Sequence, residues 1–306
     1  MENKVIDYQK IIRSKYRKLL RLAEKHGGDK EDLSLIRKAY KVSADAHKDV
    51  FRKSGEPYIT HPIEVALIVS EEIGLGPKSI AAALLHDVVE DSEYTNDQIS
   101  HMFGDSIAYI VSGLTKIQGI FDNQSSSMQV ENFRKLLLSI SDDVRVILIK
   151  MADRLHNMRT LDDMPYAKQL KIASETLYIF APLAHRMGLY YMKSEYEDLG
   201  LKYTEHDVYK EIAEKLDDFE RNDSDYLKRF SSDIYSLLSS EAFDFSIKRR
   251  TKGIFSIRRK MINQGISFEE VYDKYALRIL LDAGPKREKA EIWRAYSIIT
   301  SVFRAN

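Results

Sequence analysis

The 306 residues carry 47 Lys+Arg against 47 Asp+Glu and are 44% hydrophobic and 31% charged, a balance that excludes wholesale disorder and gives no net field toward nucleic acid or membrane. The absence of cysteine removes disulfides, cysteine zinc sites and thiol nucleophiles together. The polar start, Met1 to Asp7, and the lack of any run of roughly 18 apolar residues predict no secretory signal and no membrane span, hence a cytoplasmic chain of about two domains.

With 13 Gly and 6 Pro, long helices are expected. Ile11, Ile12, Tyr16, Leu19, Leu20 and Leu22 follow a helical period over Tyr8–Lys25, ended by Gly27 and Gly28. A second helix is expected from Asp32 to about Val50. Phe51 to Thr60, with Gly55 and Pro57, reads as loop. Pro62 favours the first helical position, which places His61 just before a third helix that ends at Gly74 and Gly76. A fourth helix is expected from Lys78 to Asp91 and a fifth from Asn96 to Phe103. Thr115 to Val130 is polar and aperiodic and reads as a mobile loop beside a site. Helices are expected again over 131–139, 144–161, 166–187 and 190–201, then a charged helical stretch over 205–239. Beyond Glu241 the pattern changes to strand (Phe243–Lys248), helix (Ile254–Asn263), strand-like segment (Tyr275–Leu281) and helix (Lys286–Phe303). The expected fold is mainly α: an all-helical bundle over 1–200, a helical connector over 201–240 and a small partial α/β segment over 241–306.

Two clusters carry chemistry. In Leu84-Leu-His-Asp-Val-Val-Glu-Asp91, a continuous helix would put His86, Asp87, Glu90 and Asp91 at about 0°, 100°, 40° and 140°, opposite Leu84, Leu85, Val88 and Val89. An imidazole and three carboxylates without an intervening base repel unless they share a cation or a proton. A solvated acidic helix end is the alternative. Val144 to Thr160 begins apolar nearly all round, then places Asp153, His156, Asn157 and Thr160 in one stripe. A carboxylate there is costly to bury unless it is metal-bound or paired, with Lys150 or Arg154 as candidate partners. His156 reads as a satisfied structural histidine. His61, His86, Asp87 and Asp153 together make a mixed N/O set that suits Mn²⁺, Fe²⁺ or Zn²⁺ better than Ca²⁺ or Mg²⁺.

His61, the His86-Asp87 pair and Asp153 resemble the signature of HD-domain metal-dependent phosphohydrolases. The strings Arg52-Lys-Ser-Gly-Glu-Pro-Tyr-Ile-Thr-His-Pro62, Leu84 to Asp91 and Ile149-Lys-Met-Ala-Asp-Arg-Leu-His-Asn-Met-Arg-Thr-Leu161 narrow the resemblance to the hydrolase domain of the RelA/SpoT homologue family. The resemblance implies removal of the 3′-pyrophosphate of ppGpp or pppGpp, with one Mn²⁺ per site held by His61, His86, Asp87 and Asp153. It implies Glu90 and Asp91 as the pair that orients or deprotonates water, and Arg52, Lys53, Ser54, Asn157 and Thr160 as substrate contacts. The end of the chain resembles the opening of a nucleotidyltransferase-like synthetase domain: Arg250, Lys252 and Ser256 match its nucleotide-binding segment and Asp273 its Mg²⁺-binding residue. Thr251 and Phe255 depart from the common Pro and Tyr. Later synthetase motifs would lie past Asn306, so no synthesis is expected, and ribosome contact would need C-terminal domains beyond this sequence. No membrane and no direct nucleic-acid binding is expected. The alternatives are a pyrophosphokinase fragment with the helical domain as regulatory scaffold, and an HD phosphohydrolase for another nucleotide.

Overall fold

The chain divides into two units, Met1–Gly200 and Leu201–Asn306, and the computed structural model describes residues 7–122 and 143–303. In the first unit, α1 (Tyr8–Lys25) opens on Asp7, whose carboxylate accepts the Lys10 N–H. Helix α2 (Lys30–Ala46) opens on a capping box between Asp29 and Asp32. It starts before its first apolar residue because the capping carboxylate sets the boundary. It also ends earlier than expected, at His47, before Asp49 turns into the left-handed region at φ 62°.

His61 and Pro62 both lie inside the first turn of α3 (Thr60–Leu67), so His61 does not precede the helix. One π turn, Ile68–Glu72, follows. The expected fourth helix is two pieces, α4 (Pro77–Leu84) and α5 (Val88–Asp91), broken at Leu85-His86-Asp87. At the break the His86 ring bonds the Ala83 carbonyl, and the Val88 N–H bonds Leu85 instead of continuing the i−4 ladder. Helix α6 (Asn96–Phe103) carries a Thr95–Gln98 capping box. Helix α7 (Asp105–Asp122) includes Thr115, whose hydroxyl donates back to Val111. Residues 115–122 of the expected loop are therefore helix; its remainder and the expected helix over 131–139 lie outside the described residues.

Helix α8 (Val144–Arg159) precedes a short 3₁₀ turn, α9 (Tyr166–Glu175), a π turn at Thr176–Phe180, α10 (Ala181–Arg186) and α11 (Tyr190–Thr204). Helices α4 and α8 line the core of this unit. Ser79 to Leu85 in and after α4 are all buried against α2, α3 and α7, and Val146 to Asp153 of α8 are buried against α3 and α7. Arg159 closes the end of α8 by bonding both oxygens of Glu72 and of Glu195. Tyr196, fully buried on α11, donates its hydroxyl to the Met151 carbonyl of α8. Tyr196→Phe is expected to lower stability by about 1 kcal/mol, the net worth of one such bond, without altering metal content. Urea midpoints check this, and an unchanged midpoint would show the bond to be energetically neutral.

In the second unit, α12 (His206–Ser240) runs along β1 (Phe245–Thr251), α13 (Ile254–Gln264), β2 (Tyr275–Leu281) and α14 (Glu288–Val302). The strands pair antiparallel from Phe245 against Leu281 to Thr251 against Tyr275. Helix α12 contributes Ile212 and Leu216 to one cluster with Ile257, Phe268 and Val271, and Ile234 and Leu238 to another with Ala295. The buried Lys274 lies between the Phe219 and Phe268 rings, 5.0 and 4.8 Å from their centroids, where the ring quadrupoles offset its charge. Among the described residues no helix is long and apolar enough to cross a membrane.

Candidate metal centre

The loop after α2 is a tight hairpin. Tyr58 N–H reaches Val50 O at 2.8 Å, Arg52 N–H reaches Glu56 O at 2.8 Å and Gly55 N–H returns to Arg52 O at 2.9 Å. Gly55 has φ 84°, a conformation that a Cβ would strain. The hairpin delivers Arg52 to α8: its guanidinium donates to Thr160 Oγ1 at 2.9 Å and Asn157 Oδ1 at 3.4 Å, and faces His156 Nδ1 at 3.3 Å.

That last contact settles ring tautomers. A guanidinium can only donate, so His156 Nδ1 is an acceptor. His61 Nδ1 lies 2.7 Å from the same atom and must be the donor. The His61 Nε2 lone pair is then free. His86 is fixed likewise, because its Nδ1–H donates to Ala83 O at 2.8 Å. Both freed nitrogens face one point: they lie 3.2 Å apart, with Asp153 Oδ1 at 3.3 Å from His61 Nε2 and Asp87 Oδ2 at 2.9 Å from His86 Nε2. One ligand atom each of His61, His86 and Asp153 falls within 4.8 Å of the others, and all three residues are buried. Lone pairs this close repel unless a cation or proton lies among them, so the residues fit a divalent metal bound by nitrogen and oxygen.

Further contacts hold the carboxylates. Asp87 Oδ2 accepts the Tyr58 hydroxyl at 2.7 Å. Asp153 accepts Lys150 Nζ and Asn157 Nδ2, each at 2.7 Å, whereas Arg154 turns to Glu175 at 3.1 Å. Burial opposes charge on Asp153, but Lys150 and the two rings hold its carboxyl well below the usual range. Burial likewise opposes charge on His86, and Asp87 with Asp153 outweighs it, raising the ring to about 10, so without a cation Nε2 holds the proton that a bound metal would displace. Glu90 lies at the open side of the site, where desolvation and then Asp87 push its carboxyl up to about 7.

His156 is pushed down to about 2 by burial, His61 and Arg52, so it is neutral when folded but binds a proton near 6.5 when unfolded. Stability from this residue is therefore complete above about pH 6.5 and is lost as pH falls toward 2, by up to about 1.4 kcal/mol per pH unit. Denaturant midpoints of metal-free protein from pH 7 to 5 should fall less steeply in His156→Gln than in the parent; equal slopes would contradict the buried neutral ring.

A cleft of about 560 Å³ opens on the site, lined by Arg52, Lys53, His61, Asp87, Glu90 and Asp91. A second, of similar volume, shares Arg52, Lys150 and Asn157 with it and adds Arg154, Lys168 and Lys171. Ser54 is exposed at the hairpin and accepts the Glu56 N–H. In the second unit Lys252 and Lys260 both pair with Asp273, holding it near pKa 2, while Arg250 sits on β1 opposite Ala276 and Ser256 in the first turn of α13. Sequence reasoning missed Tyr58 as a site residue and offered Lys150 only as a candidate partner of Asp153. A lysine inside an apolar run was a usable sign of a buried ion pair; Tyr58, in an aperiodic loop, gave none.

The HD domain family matches residues 39–190. The chain is 40% identical over 271 residues to a GTP pyrophosphokinase of Myxococcus xanthus, covering 86% of this chain and 36% of that protein. It is 40% identical over 240 residues to the guanosine-3′,5′-bis(diphosphate) 3′-pyrophosphohydrolase of Haemophilus influenzae, covering 78% and 35%. A cyanobacterial relative from Synechocystis, named a probable guanosine-3′,5′-bis(diphosphate) 3′-pyrophosphohydrolase, is 41% identical over 88% of this chain and 35% of its own length. The chain thus spans about a third of the length of these relatives. With the HD residues gathered on one point and these matches running through both units, the chain belongs to the RelA/SpoT family of HD-domain proteins.

Proposed function

We propose that the chain hydrolyses the 3′-pyrophosphate of ppGpp and pppGpp in the cytoplasm, using one Mn²⁺ per site and releasing GDP or GTP with pyrophosphate. The observation that carries this reading is the convergence of two ring nitrogens and the Asp153 carboxylate on one point, with Asp87 Oδ2 2.9 Å from His86 Nε2 and the Glu90 and Asp91 carboxylates lining the cleft beside them. His61, His86, Asp87 and Asp153 would hold the cation. Bound there, it supplies charge neutralisation and a lowered pKa for a water in contact with it. The chain's own groups do the rest. Glu90 and Asp91 receive the proton of the attacking water. Its oxygen joins the phosphorus attached to the ribose O3′, the P–O3′ bond breaks, and O3′ takes a proton. Arg52, Lys53 and Ser54 on the hairpin and Asn157 and Thr160 on α8 hold the nucleotide, with Lys150, Lys168 and Lys171 offsetting phosphate charge.

In this reading residues 1–200 form the hydrolase domain, 201–240 the connector and 241–306 the opening of a synthetase domain. A second reading treats the helical unit as regulatory scaffold for a pyrophosphokinase, and draws on the Lys252–Asp273 pair and on the pyrophosphokinase relatives. One experiment separates them: incubate the chain with Mn²⁺ and ppGpp, and separately with ATP and GDP, and identify products. GDP and pyrophosphate in the first arm support hydrolysis. Intact ppGpp with metal bound overturns it, and ppGpp formed in the second arm supports the alternative.

A further inference from the structure

His47, the residue that ends α2, is buried, with a side chain 1% exposed. Its Nδ1–H donates to the Ser43 carbonyl at 2.8 Å, so its remaining polar atom is Nε2. That atom is enclosed and has no hydrogen-bond partner in the structure. A buried polar atom without a partner costs roughly 1–3 kcal/mol, so its placement calls for a reason. The ring is locked in place: it stacks on Tyr58 with centroids 4.6 Å apart and planes 24° apart. Tyr58 is the residue whose hydroxyl holds Asp87. Facing His47 Nε2, at 3.7 Å, is Oδ2 of Asp91. The Asp91 side chain is 47% exposed, so on its own it is free to choose among rotamers.

We infer that His47 is a positioning residue for Asp91: with Nδ1–H spent on the Ser43 carbonyl, a second proton on Nε2 makes the ring an imidazolium whose Nε2–H faces the Asp91 carboxylate and keeps it turned toward the cleft. The same ring, through its stack on Tyr58, keeps the Tyr58 hydroxyl on Asp87. One imidazole in the outer layer thus steadies a cleft carboxylate and a partner of the ligand set, the kind of support whose removal lowers activity or metal affinity by about 10- to 100-fold. The kinetic part rests on the proposed hydrolase activity; the pairing itself does not.

The substitution of choice is His47→Phe, which keeps a ring against Tyr58 and loses both nitrogens. It leaves no orphan at Ser43, whose carbonyl already accepts the His47 backbone N–H at 3.1 Å. In ppGpp hydrolysis, kcat should fall about 10- to 100-fold while KM and bound Mn²⁺ stay within about twofold. Combining His47→Phe with Asp91→Asn should cost no more than Asp91→Asn alone, because a residue acting through Asp91 has nothing further to lose. Full additivity of the two losses, or an unchanged kcat in His47→Phe, overturns the proposal. Independent of activity, the ring ¹⁵N resonances of His47 in the full chain should shift on Asp91→Asn; unshifted resonances overturn the pairing. If the parent fails to hydrolyse ppGpp, the proposed function falls while the resonance measurement still decides whether His47 and Asp91 pair.

Discussion

His86→Ala is expected to abolish both Mn²⁺ binding and ppGpp hydrolysis, with activity reduced at least about a thousandfold. The ring is 2% exposed, and its Nε2 lies 2.9 Å from Asp87 Oδ2 and 3.8 Å from Asp153 Oδ1. Loss of one nitrogen leaves His61, Asp87 and Asp153, a set with more negative charge per donor and a gap that water fills. Losing the cation forfeits several kcal/mol of charge stabilisation in the transition state, enough for that reduction. Asp153→Ala would be a poorer test. It breaks the buried ion pair that Asp153 makes with Lys150, and removing one partner of a buried pair costs about 3–5 kcal/mol, so lost activity would be confounded with unfolding. Asp153→Asn keeps the volume and is the better companion variant. Metal per chain, measured with circular dichroism on the same samples, decides the matter: stoichiometric Mn²⁺ on His86→Ala would refute the ligand assignment.

Glu90→Gln combined with Asp91→Asn should lower turnover by roughly two to four orders of magnitude while leaving Mn²⁺ in place. Both residues line the cleft but stand outside the cluster that holds the donor atoms. The amides preserve shape and lose the ability to take a proton. The pKa of Glu90 sharpens the test. Partial desolvation and Asp87 raise it to about 7, so the folded chain holds this proton more tightly than the unfolded one. Its carboxylate is therefore a burden on folding that grows as pH rises from 4.5 through 7. The double variant should melt no lower than the parent at pH 8. A variant that turns over ppGpp at the parental rate would make the pair structural, and one that melts markedly lower would make its loss of activity uninformative.

Element boundaries in the sequence were legible wherever apolar period and chain punctuation agreed. Tyr8–Lys25, Asn96–Phe103 and Tyr275–Leu281 have the same ends in the structure. The break at His86 was not legible, because Leu84, Leu85, Val88 and Val89 keep a helical period across it. What interrupts the helix is a ring nitrogen competing for the Ala83 carbonyl, a tertiary choice that periodicity does not record. The wheel angles drawn for a continuous helix therefore do not describe Glu90 and Asp91, although the side chains still reach the same cleft. His156 was read as structural, and its contacts agree with a ring that serves another residue. Its role in fixing the His61 tautomer needed Arg52, 104 residues away in sequence. Lys150 and Arg154 both stand near Asp153 in sequence; helical spacing favours Lys150, which shares the Asp153 face at i−3, over the adjacent Arg154, and in the structure Lys150 pairs with Asp153 while Arg154 pairs with Glu175.

The two rings of the cluster, at positions 61 and 86, are each tethered at Nδ1 before anything binds. Fixing a side chain of this kind costs about 0.5–1.5 kcal/mol of rotamer freedom, and here that freedom is surrendered when the chain folds, not when a cation arrives. Binding then releases water from the ion with little ordering of the protein to oppose it. Such a site behaves as a rigid chelator: it chooses among cations by their preference for nitrogen over oxygen donors and by size, and it cannot relax outward to suit a larger, oxygen-seeking ion.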